Sequence, residues 1–184
     1  MNELSLNVLD IAQNSVKAQA TLIEISVNAD TAADLLTIVI RDNGKGMSSE
    51  QLERVCDPFF TTRTTRRVGL GIPFYKLAAE SAGGDFSIES QEGKGTSVTA
   101  SFVISNIDRM PLGDMCATIH ALVTMNTSID FVYTFRVDSR EFVLDTRQMR
   151  EILGGISFDA PEVSAFIMDF LRENTAQTVL DTAL

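Results

Sequence analysis

The chain has 184 residues, with 15 Lys and Arg against 25 Asp and Glu, a formal net charge of −10. That length fits one domain or two small ones, and 45% hydrophobic against 22% charged residues excludes a disordered chain. The absence of any run of ~18 apolar residues argues against a membrane span, the two cysteines Cys56 and Cys116 cannot make a disulfide framework, and the acidic balance argues against a nucleic-acid binder.

Spacings of three and four among Leu4, Val8, Ile11, Ala12, Ser15 and Val16 predict an amphipathic helix over Asn2 to Ala18. Two β-branched runs follow, Thr21–Val27 and Leu35–Arg41, with Asn28, Asp30 and Asp34 expected in the loop between them. Asp42-Asn43-Gly44-Lys45-Gly46-Met47 is turn-forming, and Ser48 or Ser49 can cap a short helix over Glu50–Val55. Residues Phe59 to Val68 read as an irregular loop. Gly69 to Ala82 reads as a helix ending before Gly83-Gly84. Strands are expected over Asp85–Ser90 and Thr96–Ile104, joined by a glycine turn.

A boundary is expected near Ser105–Pro111, with 13 acidic and 9 basic residues before it and 12 and 6 after it. Beyond it the pattern predicts helix Gly113–Met125, strands Asp130–Val137 and Glu141–Leu144 around an Asp138-Ser139-Arg140 turn, and helices Thr146–Leu153 and Ala160–Glu173. The polar tail after Asn174 is expected to fray. This gives two units, 1–104 and 105–184, the second a small αββαα unit without an assignable chemistry.

Three constellations point to one kind of site. Asp10, Asn14 and Lys17 fall at spacings of four and three on one helical face. A carboxylate, an amide oxygen and an ammonium there suit a hydrated Mg²⁺ and phosphate oxygens. Each is also compatible with a solvated polar stripe. Asp42-x-Gly44-x-Gly46 follows a strand, where glycines allow close backbone approach and the carboxylate can accept from an amino group. Gly69-Leu70-Gly71 opens a helix just after Arg63, Arg66 and Arg67, a setting in which bare N–H groups and guanidinium groups bind phosphate. Neither a P-loop nor a G-x-G-x-x-G fingerprint is present.

In this order the motifs resemble the ATP-binding domain of histidine kinases and their GHKL relatives, the gyrase, heat-shock chaperone, histidine kinase and mismatch-repair ATPases. Leu9 to Ala18 resembles the N box and Asp42 to Met47 the G1 box. Asp57-Pro58-Phe59-Phe60-Thr61-Thr62-Arg63 resembles the F box of sensor kinases. Gly69-Leu70-Gly71-Ile72 and Gly93-Lys94-Gly95-Thr96 resemble the two halves of the G2 box.

The resemblance implies an α/β two-layer sandwich of the Bergerat type, a mixed sheet with helices on one face. It implies ATP and Mg²⁺ as cofactors. Asn14 is then the Mg²⁺ ligand, Lys17 a phosphate contact, and Asp42 the acceptor for the adenine amino group. Gly44 and Gly46 let the backbone pass the base, Gly69 and Gly71 cradle the phosphates, and Thr96 sits under the adenine through a water. Met47, Phe60, Thr62, Arg63, Arg67 and Leu70 complete the expected nucleotide site.

Asp10 occupies the position that is usually Glu in the hydrolysing relatives and in anti-sigma serine kinases, and usually Asn in sensor kinases. It is a candidate general base, or alternatively a group holding the waters of Mg²⁺. Arg67-Val68 stands where sensor kinases usually carry a glycine and a small residue, so Arg67 is a candidate γ-phosphate contact or the mark of a stiffer lid. The N box begins within the first ten residues, which leaves no room in this sequence for a phosphoacceptor helix pair. His120, in an apolar stretch with no acidic residue after it, is expected to be a packed or helix-surface histidine. The expectation is a cytoplasmic, ATP·Mg²⁺-binding regulatory protein that passes the γ-phosphate to an unidentified partner protein in trans. The alternatives are an ATP-gated binding module or a simple ATPase.

Overall fold

The computed structural model describes residues 3–55 and 71–180. In chain order the elements are α1 (Leu4–Lys17), β1 (Leu22–Asp30), β2 (Leu35–Asp42), α2 (Ser49–Arg54), α3 (Gly71–Ser81), β3 (Phe86–Gln91) and β4 (Gly95–Val103). They continue with α4 (Met115–Met125), β5 (Asp130–Val137), β6 (Arg140–Asp145), α5 (Thr146–Leu153) and α6 (Pro161–Val179).

The six strands form one mixed sheet in the order β3-β4-β2-β1-β5-β6. Only the β1–β5 pair is parallel; the others run antiparallel. Period-two alternation sends one set of side chains to a common face. Across the strands the register lines up Phe86, Ala100, Ile38, Val27, Phe135 and Phe142 in neighbouring rows of that face. All but the half-buried Phe86 are buried, and they join one hydrophobic core with Leu4, Val8 and Ile11 of α1 and Ile119, Leu122 and Val123 of α4. Helices α1, α3, α4 and α6 each contact this sheet. The opposite face carries Glu24, Ser26, Asn28, Thr37, Thr99, Ser101 and Thr134, all half-buried. A sheet with one apolar and one polar face needs one helical layer, and the result is the expected two-layer α/β sandwich.

The stretch read as a separate C-terminal unit does have the order αββαα, but its strands extend the sheet of the first part. β5 pairs along β1 from Leu22↔Asp130 to Ala29↔Val137, and α4 packs on α1. The chain at the expected boundary also holds the start of α1. The N–H groups of Leu4 and Ser5, which open α1 without a side-chain cap, donate to the carbonyls of Pro111 and Leu112 at 3.0 and 2.9 Å.

Three element boundaries differ from the sequence reading. Asn28 and Asp30, expected in a loop, belong to β1, because β2 on one side and β5 on the other pair the backbone through Ala29. α6 runs on to Val179 where fraying was expected. Its polar residues find partners on the helix and on α4: Thr178 Oγ1 donates to the Asn174 carbonyl at 2.7 Å, and Thr175 Oγ1 lies 3.4 Å from Cys116 Sγ of α4. α4 begins at Met115, with Asp114 accepting from the Ala117 N–H at 2.8 Å as its N-cap. Ser48 is the cap of α2, in a reciprocal capping box with Gln51. Among the described residues no helix is long and apolar enough to cross a membrane.

Candidate functional site

The site is built where α1 ends, β2 ends and the β3–β4 turn folds over. Asp42 closes β2 and is nearly buried, at 8% exposure. Its two carboxylate oxygens are held from opposite sides. Oδ1 accepts the Gly44 N–H at 2.8 Å, and Oδ2 accepts the Ser15 hydroxyl of α1 at 2.6 Å. Both donors lie within the molecule, so the orientation of the carboxylate is set before any ligand arrives.

The loop after Asp42 is strung between two supports. On the α1 side the Lys45 N–H donates to the Ala18 carbonyl at 2.9 Å, and Asn43 Oδ1 accepts from the Thr21 and Leu22 N–H groups. On the β3–β4 side the Gly93 N–H donates to the Lys45 carbonyl at 2.8 Å, and the Met47 N–H to Ser90 Oγ at 2.9 Å. Gly44 packs directly on the end of α1: a Cβ there would stand 2.8 Å from the Ala18 carbonyl oxygen. Gly46 and Gly95 have φ of 66° and 115°, and a Cβ would run into the carbonyls of Gln91 and Asp42 respectively. These positions accept only glycine, for both conformation and space.

Thr96 stands opposite Asp42 across the β2–β4 ladder, and its hydroxyl lies 2.8 Å from that of Ser90. Asp42, Gly44, Gly46 and Thr96, expected on the base side, and Met47 of the expected nucleotide site therefore gather at one end of the sheet.

Asp10, Asn14 and Lys17 lie along α1. Asn14 and Lys17 are exposed and Asp10 is half-buried. Among the described residues none of their side chains has a hydrogen-bonding or ionic partner within the molecule, in contrast to Ser15 between them. Asp10 also sits beside the first residue of α3: a Cβ on Gly71 would be 3.4 Å from Asp10 Cβ and 3.6 Å from Oδ2. The helix start expected to cradle phosphate is thus adjacent to the one carboxylate of the α1 trio. Phe60, Thr62, Arg63, Arg67, Gly69 and Leu70 lie outside the described residues.

Two contributors are missing from the sequence reading. Ser15 reads there as one more position on the buried face of α1, yet its hydroxyl is the group that reaches Asp42. Ser90 reads as a strand residue, but it ties Met47, Gly95 and Thr96 together. A hydroxyl amid an otherwise apolar helical stripe, directly after Asn14, was the available signal for Ser15. Ser90 had none, because its role depends on pairing between β3 and β4. His120 is half-buried on α4, with Nε2 at 2.9 Å from Ser164 Oγ on α6, a contact between two packed helices.

Two further buried polar atoms stand close to the site helices. Asn7 Oδ1 on α1 and the Tyr75 hydroxyl on α3 have no hydrogen-bond partner among the described residues. Burial pushes the Tyr75 hydroxyl far above the ordinary phenol range.

Comparison with known proteins identifies the family. Residues 2–106 match the family model described as histidine kinase-, DNA gyrase B-, and HSP90-like ATPase. The chain is 30% identical over 112 residues to the sensor histidine kinase ZraS of Escherichia coli, covering 61% of this chain and 24% of that protein. It is 28% identical over 95 residues to sporulation kinase C of Bacillus subtilis, covering 52% of this chain and 22% of that protein. The chain thus spans about a quarter of the length of these curated relatives. Among solved structures, the N-terminal domain of a DNA repair protein superposes with a TM-score of 0.58 at 17% identity, over 79% of this chain and 53% of that one. The Aquifex aeolicus MutL ATPase domain complexed with ADP superposes with a TM-score of 0.51 at 15% identity, over 84% and 70%. The family match covers more than half of the chain, and the protein belongs to the histidine kinase-, DNA gyrase B-, and HSP90-like ATPases.

Proposed function

We propose that this chain binds ATP·Mg²⁺ and passes the γ-phosphate to a partner protein in trans. The observation that carries the reading is the α1 pairing: a clamped acceptor, Asp42, at the C-terminal end of the helix, and Asp10, Asn14 and Lys17 along it, whose side chains have no partner among the described residues. The residues fit the ligand. Asp42 offers its remaining lone pairs to an amino group. The glycines at 44, 46 and 95 keep Cβ atoms out of the loop that would pass the base. Asn14 offers one neutral oxygen to Mg²⁺, an ion that takes oxygen ligands and keeps waters and phosphate oxygens around it. Lys17 supplies charge to the phosphates.

When bound, Mg²⁺ neutralises charge on the transferring phosphoryl group. The chain's own residues do the rest. Asp42 orients the base, Lys17 and the start of α3 hold phosphate oxygens, and Asp10 takes a proton from the attacking hydroxyl or water. In sequence the stretch Arg63–Arg67 is basic within an acidic chain, and local charge rather than net charge governs a phosphate site.

Binding is tested by thermal unfolding with and without ATP·Mg²⁺. Ligand at about 100 times its Kd adds ~2.7 kcal/mol of stability, so a clear rise in Tm is expected; no rise with ATP, ADP or a non-hydrolysable analogue overturns the reading. Transfer is tested with γ-labelled ATP and cell extract. Acid-stable label on another protein indicates Ser or Thr as acceptor and acid-labile label indicates His, whereas label released only as free phosphate indicates a simple ATPase.

A further inference from the structure

We propose that Ser15 is a specificity-determining residue of the base site, acting through Asp42. The inference rests on the reading of Asp42 as the acceptor for a purine 6-amino group, and adds what makes that acceptor selective. Ser15 is 3% exposed and Asp42 8%, so their 2.6 Å bond lies out of water. At that length it is a strong, charge-assisted bond. Its geometry has two consequences.

First, the carboxylate cannot turn. Gly44 holds Oδ1 from the loop and Ser15 holds Oδ2 from the helix. One lone-pair site on each oxygen is used internally, and those left have fixed directions. Second, the pair presents acceptors only. The Ser15 proton is committed to Asp42, so the hydroxyl has no donor left for a ligand. A 6-amino purine meets this surface with its N–H. A 6-oxo purine sets an acceptor against acceptors, and a purine with hydrogen at position 6 leaves the remaining lone pair unpaired and nearly buried, a costly state.

Without Ser15, Oδ2 loses its internal donor and the carboxylate turns on the Gly44 bond alone. The amino group then gains a less directed partner, while a 6-hydrogen purine loses little. The position also matters for the rest of the helix. Ser15 ties α1 to β2 between Asn14 and Lys17, so the bond that orients the base acceptor also fixes the helix bearing the phosphate-side groups.

The experiment uses the full chain and measures Kd for ATP and for purine riboside 5′-triphosphate, which lacks the 6-amino group, in wild type, Ser15→Ala and Ser15→Cys. The cysteine variant keeps a weak donor and guards against a packing defect in the alanine variant; circular dichroism checks the fold of each. Wild type is expected to prefer ATP by about 10-fold or more. In Ser15→Ala that preference falls by about 5- to 10-fold, mostly through weaker ATP binding, with Ser15→Cys intermediate. Equal weakening of both nucleotides, or no change, overturns the proposal, since a merely structural serine would not change the ratio. Wild type binding both nucleotides equally removes Asp42 as the amino acceptor. Wild type binding neither overturns the ATP reading itself, and this proposal with it.

Discussion

Asp10 and Gly71 come together across α1 and α3: the Asp10 carboxylate lies 3.6 Å from the point where a Gly71 Cβ would stand. The start of α3 therefore faces the candidate base, with room for a methyl group between them. Asp10→Ala is expected to leave ATP affinity within about 3-fold while lowering γ-phosphate transfer or hydrolysis by 10²–10⁴-fold, the usual worth of a general base. Single-turnover assays at saturating ATP check this. Unchanged turnover assigns the carboxylate to holding water around Mg²⁺.

The pairing of β1 with β5 predicts that residues 1–104 do not fold stably by themselves. Removing the rest strips an interior strand of eight partners, from Leu22↔Asp130 to Ala29↔Val137. It also bares Ile23, Ile25 and Val27 and takes away the two carbonyls that accept from the first turn of α1. A chain ending at Ile104 is expected to be aggregation-prone through its open edge, and to lack the cooperative melt of the full chain. Far-UV circular dichroism during thermal unfolding distinguishes the two. A cooperative melt for the short form would mean that 105–184 is an accessory unit.

Most elements were legible because periodicity is local. The run Asp130–Val137 and the helix Thr146–Leu153 coincide with β5 and α5 as read from pattern alone. What escaped was whatever depends on partners distant in sequence. Nothing in residues 105–184 announces that Phe131, Tyr133 and Phe135 lie beside Ile23, Ile25 and Val27. Charge and the proline-containing stretch before α4 suggested a boundary, while the strand pairing runs across it. The same holds at the site. Asp42, Gly44 and Asn14 were identifiable as motif residues, but the bond from Ser15 to Asp42 spans 27 positions and needed the fold to become visible.

Tyr75 offers a test of buried polarity. Its ring packs on Phe86 and Phe102 at centroid distances of 6.2 and 5.9 Å, while its hydroxyl has no partner among the described residues. Tyr75→Phe keeps the ring contacts and removes a group whose burial is uncompensated, so stability is expected to hold or rise by up to about 1–2 kcal/mol. Tyr75→Ala is expected to cost about 3–5 kcal/mol through the cavity it leaves. Urea midpoints of the two variants check the pair. A loss above about 1 kcal/mol in Tyr75→Phe would show that the hydroxyl is satisfied in solution, by water or by the neighbouring helix.

Asp145 gives the fold an acid-sensitive joint. It ends β6 and caps α5, accepting from the Arg147 N–H at 3.0 Å and pairing with the Arg147 guanidinium at 2.7 Å. The guanidinium bond, followed by the backbone N–H bonds of the cap, holds its carboxyl below the ordinary aspartate value despite partial burial. A lowered folded-state pKa means that the ionised form favours folding. The contribution is complete above the unfolded aspartate pKa and disappears as the pH falls through the lower, folded-state value. Asp145→Ala is therefore expected to cost about 1 kcal/mol near neutral pH, the common worth of an N-cap, and progressively less on acidification. Urea unfolding of wild type and variant between pH 7 and pH 2 reads the gap directly. A gap that stays constant across that range would assign the effect to packing of the side chain, since only a titrating carboxylate makes it close.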